Sequence, residues 1–293
     1  MSKRDGAGSL HEQCVVIVGG TSGIGREIGL QAAALGAHVW IVGRDAERGR
    51  SAVTAMQELG AASATFLAAD LSTVSATEEA ALELARRVPR IDALVLSAGV
   101  IHPQWEATVD DLETMYAVHH LAKVHLTRRL LPELERSPAA RVVVVGAKLG
   151  NPPPPIDFDN LQSRGVSSFQ RIGRLHHLNL LFTGELARRW ERTPHRANLV
   201  HPGFVDTGGF RLVTGPLRWL SRIMVAVAGT PVQVAARNAI VLIGNRDVAV
   251  PNGHLFSDPA RFDRHAPIGL DPAVAAKAWD AAQSLLAARG VTF

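Results

Sequence analysis

CVVIVGGTSGIG (14–25) is the stretch on which the fold turns. Cys14–Val18 is apolar throughout, the signature of a strand buried on both faces. Glycines follow at 19, 20, 23 and 25. Gly19, Gly23 and Gly25 allow a tight turn, a close backbone approach to a pyrophosphate, and close packing of the next helix on the strand. The start of that helix offers free N–H groups and the positive end of a dipole to a phosphate. In this strand–turn–helix setting Gly19, Thr21, Ser22, Gly23, Ile24 and Gly25 are the expected nucleotide cradle.

Outward from this turn the pattern repeats. HVWIVG (38–43), ATFLAAD (64–70), DALVLSAG (92–99), RVVVVGA (141–147) and ANLVHPG (197–203) are further apolar runs of strand length. Helix-period segments at 25–35, 46–59, 73–88, 112–134 and 168–192 separate them. Such alternation predicts an α/β chain: a single Rossmann-type, doubly wound parallel sheet with helices on both faces. A helix near 231–242, a short strand at 253–256 and a last helix at 272–288 complete it. Residues 1–12 are polar and glycine-rich and are expected to be a flexible segment ahead of one domain, 13–293. The apolar stretch within 204–230 is expected to form a substrate lid, and the prolines of NPPPPIDF (151–158) impose polyproline geometry.

Composition excludes several classes. One cysteine in 293 residues cannot form an internal disulfide or a cysteine-cluster metal site, and fits a reduced, cytoplasmic setting. There is no run of 18 apolar residues, so no membrane span is expected. The net charge of +4 comes from arginines scattered along helices, without the basic stripe or module that nucleic acid requires. No metal site is expected, and a homodimer is left open.

The second strand ends in Gly43-Arg44-Asp45, with Arg48 one helical step on. An acidic residue here bonds a ribose 2′-hydroxyl, whereas arginine accommodates a 2′-phosphate. Arg44 comes first, which favours NADP(H) over NAD(H).

Together these motifs resemble the short-chain dehydrogenase/reductase family, in its retinol-dehydrogenase-like branch, over about residues 13–290. VGGTSGIG (18–25) is similar to the family's TGxxxGIG, with Val18 for the threonine. ADLS (69–72) resembles the adenine-contacting segment, which implies roles for Asp70 and Leu71. SAG (97–99) resembles the family's NAG and implies Ala98 and Gly99 at the cofactor. LVHPGFVDT (199–207) resembles the HPGxxxT segment, implying that Pro202, Gly203 and Thr207 hold the nicotinamide carboxamide. The family's catalytic Asn, Ser, Tyr and Lys are another matter. Counting from YAVHHLAKVHLT (116–127), VVVVGAKLG (142–150) and NLLFTGELARRW (179–190), those positions read His119, Ala147, Ile172 and His176.

Ile172 cannot transfer a proton, and Ala147 cannot donate a hydrogen bond from its side chain. Histidine can act as acid, base or donor near neutrality. His176, supported by His119, is therefore the expected catalytic or cofactor-anchoring group, with His120 and His177 as packing or surface residues. The expected activity is redox chemistry with NADP(H) on a hydrophobic small molecule by histidine-based means. A non-redox cyclase, isomerase or dehydratase, and a non-catalytic NADP(H)-binding sensor, are the alternatives.

Overall fold

The computed structural model describes residues 8–150, 153–205, 229–244 and 250–293. The strands are β1 (Cys14–Val18), β2 (His38–Gly43), β3 (Ser63–Ala68), β4 (Ala93–Leu96), β5 (Arg141–Val145), β6 (Arg196–Val200), β7 (His254–Phe256) and β8 (His265–Pro267). They form one sheet in the order β3-β2-β1-β4-β5-β6-β7-β8, parallel except for the antiparallel β7–β8 pair. This is the expected α/β fold. The direction of winding reverses between β1 and β4, and such a reversal opens a crevice at the strands' carboxyl ends.

Alternation along each strand divides the core in two. Val15, Ile17, Val39, Ile41, Val95 and Val143 pack on one face, with α1 (Gly23–Ala34), α2 (Ala46–Glu58) and a helix at Val232–Gly244. Val16, Val18, Val42, Leu94, Leu96 and Val144 pack on the other, beneath α3 (Val74–Arg87), a long helical segment from Thr114, a helix at Ser168–Arg189 and the last helix, Pro272–Ala287. Period-two side-chain direction in a strand explains why an unbroken apolar run is needed to feed both faces.

Three expectations need correction. The helix foreseen over 112–134 is not continuous. It runs as α4 (Thr114–Tyr116), a π-turn (Ala117–Leu121), α5 (Ala122–Arg129) and α6 (Leu131–Glu135). Pro132 in the first turn of α6 lacks the N–H that a continued helix would use. β8 was not foreseen, because His-Ala-Pro has neither the length nor the apolarity of a strand signal. Packing also begins before residue 13: Leu10 is fully buried, and its N–H donates to Leu35 O at 2.9 Å. Of the expected lid, residues 206–228 lie outside the described residues. The helices after α6 are α7 (Ser168–Arg189), α8 (Val232–Gly244) and α9 (Pro272–Ala287).

Candidate functional site

Gly19, with φ 85°, makes the turn out of β1. A Cβ there would lie 2.6 Å from Ala98 N, so only glycine lets the turn lie against the loop leaving β4. A Cβ on Gly25 would lie 2.2 Å from Gly19 O, which makes that glycine the condition for seating α1 beneath the turn. Ser22 caps α1 in extended geometry without a side-chain hydrogen bond. The first-turn N–H groups therefore have no helical partner and no cap, and remain open to an anion.

Ten of the residues singled out from sequence come together here. Gly19, Thr21, Ser22, Gly23, Ile24, Arg44, Asp70, Leu71, Ala98 and Gly99 line one cleft of about 490 Å³ across the β1/β4 reversal. Gly43, Asp45, Arg48, Ser97, Val100, Ile101, Val118 and Val145 also line it. Gly25 supports the cleft from behind. Pro202 and Gly203 are not among its lining residues; Gly203 turns with φ 78° against Thr230. Thr207 lies outside the described residues. Asp45 is already engaged: its carboxylate accepts Arg48 N at 3.0 Å as the α2 cap and pairs with Arg48 Nε at 3.1 Å. Arg44 is exposed on the same wall.

At the other end of the cleft the chemistry passes to side chains on the π-turn and α7. His119 stands directly behind Gly99, whose Cβ would lie 2.5 Å from its Cε1. Its Nε2 is within hydrogen-bond distance of the Val100 backbone, 2.9 Å from the amide N and 2.5 Å from the carbonyl O. Its ring meets that of His176 edge-on, centroids 6.0 Å apart. His176 is partly exposed, but its Nδ1 is occluded and has no hydrogen-bond partner among the described residues. The structure thus brings the two histidines together, although neither ring is itself in the cleft wall.

The expectation that these imidazoles titrate near neutrality is not met. Burial, with Lys123 and His176 adding repulsion, lowers His119 to about 3. Burial, with Lys123 and His201, lowers His176 to about 4. Both rings are neutral at pH 7. Ile172 sits one turn before His176 and packs against the core, and Ala147 follows the end of β5. Tyr116, the chain's one tyrosine, is buried beside His120, its centroid 5.7 Å from that ring, and burial raises its pKa. His120 and His177 do pack: His120 Nδ1 meets Asn179 Oδ1 at 3.1 Å, and His177 Nδ1 meets Pro154 O at 2.6 Å.

Two residues at this end were not singled out. Asn179 ties α7 to the π-turn, its Nδ2 donating to His119 O at 3.0 Å. Lys123 is almost wholly buried on α5, and its Nζ donates to Val145 O at 3.3 Å. Its spacing of four from His119 placed both on one helix face and was the available signal. Among the described residues no group of three or more His, Cys, Asp or Glu is placed to hold a metal, and no helix is long and apolar enough to cross a membrane.

The fold and cleft define a dinucleotide-binding α/β protein of the nicotinamide type. A short chain dehydrogenase family model matches residues 13–156. The chain is 33% identical to retinol dehydrogenase 14 of Mus musculus, over 95% of its own length and 87% of that protein's. It therefore belongs to the short-chain dehydrogenase/reductase family, as a retinol-dehydrogenase-like NAD(P)-dependent oxidoreductase by descent. In structure it is similar to an uncharacterized protein from Mycobacterium Paratuberculosis: TM-score 0.76, 26% identity, 98% of this chain and 97% of that one covered. A short chain dehydrogenase from Burkholderia cenocepacia J2315 in complex with NADP shares the fold at TM-score 0.68 and 22% identity, covering 87% of this chain and 99% of that one.

Proposed function

We propose that this chain is an NADP(H)-dependent oxidoreductase for an apolar alcohol or its carbonyl partner, working with imidazoles where its family keeps Asn and Lys and without the family's Tyr. The observation that carries the cofactor half is the glycine cradle, which any Cβ at Gly19 or Gly25 would fill. The uncapped start of α1 adds donors for a pyrophosphate. Asp45 is occupied by Arg48, so the wall offers Arg44 to a 2′-phosphate rather than a carboxylate to a 2′-hydroxyl. The bound dinucleotide would supply or accept the hydride.

What remains for the protein is one proton at the substrate oxygen. Ile172 and the Ala147 side chain have none to give. His176 is the partly exposed imidazole at this end; as a neutral ring it can hydrogen-bond a carbonyl oxygen through its N–H while water delivers the proton, or receive a proton from an alcohol. His119, fixed on Val100, supports the ring edge-on. Retinol in a relative's name is an apolar alcohol, and Val118, Val145, Val100 and Ile101 give the cleft an apolar wall at this end.

Ile172 favours a second reading, in which the cradle is kept and the chemistry is non-redox. Incubating the protein with NADPH and apolar aldehydes, and with NADP and apolar alcohols, separates the two. Loss or gain of the reduced-nicotinamide absorbance in step with product supports redox turnover. Substrate conversion with the cofactor unchanged, or none at all, overturns it.

A further inference from the structure

Lys123 is the strongest unexplained feature of the molecule. It is 1% exposed, and lysine is almost never fully buried without a carboxylate partner. Among the described residues no acidic side chain faces it. On its own helical segment His119 and His120 carry like charge toward it when protonated; from α7 His176 does the same. His201, at the end of β6, carries like charge toward His176 when protonated, and Lys148 beyond β5 lies near His201. On α3, Glu78 is engaged by His125 and Arg129, and His125 is turned some 200° around the helix from Lys123. The ammonium has instead a backbone acceptor, Val145 O at 3.3 Å. Val145 lines the cleft, so the charge lies one residue behind the wall at the end where Ala147 follows.

An isolated buried charge is costly, and a sequence keeps one where a charge is needed. Resting on the redox reading above, we infer that Lys123 is a positioning residue for that chemistry: buried one residue behind the cleft wall, its ammonium supplies a positive field to His119 and His176 and to an oxygen anion forming beside them. Burial is the first cause of the lowered pKa of both rings, and the Lys123 charge lowers them further. Burial lowers Lys123 only to about 7, while the two rings fall to about 3 and about 4. A neutral His176 can donate an N–H to the substrate oxygen, and the field of Lys123 favours the negative charge that develops there. Among the described residues, Nδ1 of His176, Nδ1 of His201 and Nε2 of His120 are buried polar atoms without a hydrogen-bond partner.

The test uses Lys123→Met, which is close to isosteric, and Lys123→Arg, which keeps the charge. Ring-nitrogen NMR of the histidine-labelled protein is followed against pH in all three forms. In Lys123→Met the His176 midpoint should rise by about one unit or more, whereas in Lys123→Arg both rings should stay neutral as in the wild type. Turnover with NADPH should fall about 10-fold in kcat in the methionine variant with KM little changed, and recover in the arginine variant. Unmoved histidine midpoints in Lys123→Met, or equal kcat losses in the two variants, would make Lys123 a packing residue and overturn the inference. Should Lys123→Met fail to fold, the wild type decides. Its His119 and His176 ring signals should shift near pH 7 as the neighbouring lysine loses its proton, without titrating themselves; flat signals there overturn the proposal. A wild type that never turns over cofactor sinks the redox reading, while the NMR measurement still decides what Lys123 does to the rings.

Discussion

The two ends of the cleft are built from different materials. At the β1–β2 end the functional atoms are backbone: the open N–H groups of α1 and the turn at Gly19, held by the absence of side chains. At the β5–α7 end the candidate groups are side chains, His119, His176 and Lys123, set on the π-turn, α7 and α5 and aimed by a handful of contacts. A backbone site tolerates little change, because a Cβ at Gly19 or Gly25 collides with main chain. A side-chain site can be rebuilt residue by residue while the fold stays as it is. Descent can therefore leave dinucleotide binding in place and alter the chemistry beside it.

The sharpest way to break this contrast is at Gly25. Gly25→Val should lose cofactor binding altogether and destabilise the fold by about 4 kcal/mol or more, since the added atoms must displace Gly19 O. Calorimetric titration with NADPH and a thermal melt would check it; a stable variant that still binds would show that the cradle can relax.

Acid lability comes next, and it belongs to the other end. His119, His120 and His176 have folded pKa values lowered to about 3, about 4 and about 4, chiefly by burial. The unfolded chain binds more protons than the folded one between those values and the usual 6.5, so stability falls as pH drops through that window. Each ring contributes a slope of at most about 1.4 kcal/mol per pH unit. Denaturant midpoints should decline from pH 6.5 toward 4. A His119→Asn, His176→Asn double variant should flatten that decline, and an unchanged slope would mean that the rings protonate without unfolding.

His176→Ala probes chemistry alone. Removing the group that serves the substrate oxygen should lower kcat by roughly 100-fold, about 2.7 kcal/mol. The melt should move little, because the ring is only partly covered. Full activity in His176→Ala and His119→Ala together would assign both rings to packing.

How much of this was legible follows the same division. Val15–Val18 and the glycines after it carry the fold and cradle openly, since both depend on residue types with few substitutes. The π-turn was not legible: one residue inserted into a helix leaves the apolar period of YAVHHLAKVHLT almost unchanged, yet it reorients His119 and His120. Lys123 was hidden for another reason. A lysine in an arginine-rich helix reads as a solvated residue, and only three-dimensional packing reveals that this one is buried. Asn179 likewise looks like an exception on an apolar face until its bond to His119 O is seen. Asp45 shows the limit in the cradle itself, because its identity suggests a ribose contact while its geometry commits it to Arg48.

That commitment sets up the smallest expected effect. With Asp45 paired to Arg48 and capping α2, the group presented to a 2′-substituent is the Arg44 guanidinium. A hydrogen bond between charged groups contributes about 1.5–3 kcal/mol, and an exposed arginine should deliver the lower part of that range. Arg44→Ala should therefore weaken NADPH by roughly 10-fold and leave NADH nearly unchanged, with the NADPH loss shrinking as salt is raised. Asp45→Asn should act in the opposite sense, releasing Arg48 toward the cleft and widening the preference for NADPH. Equal affinity for the two cofactors in the wild type, or an equal loss of both in Arg44→Ala, would mean that the 2′-phosphate is not read here. The backbone end of the cleft would then bind without choosing, and the choice would lie in side chains at this end too.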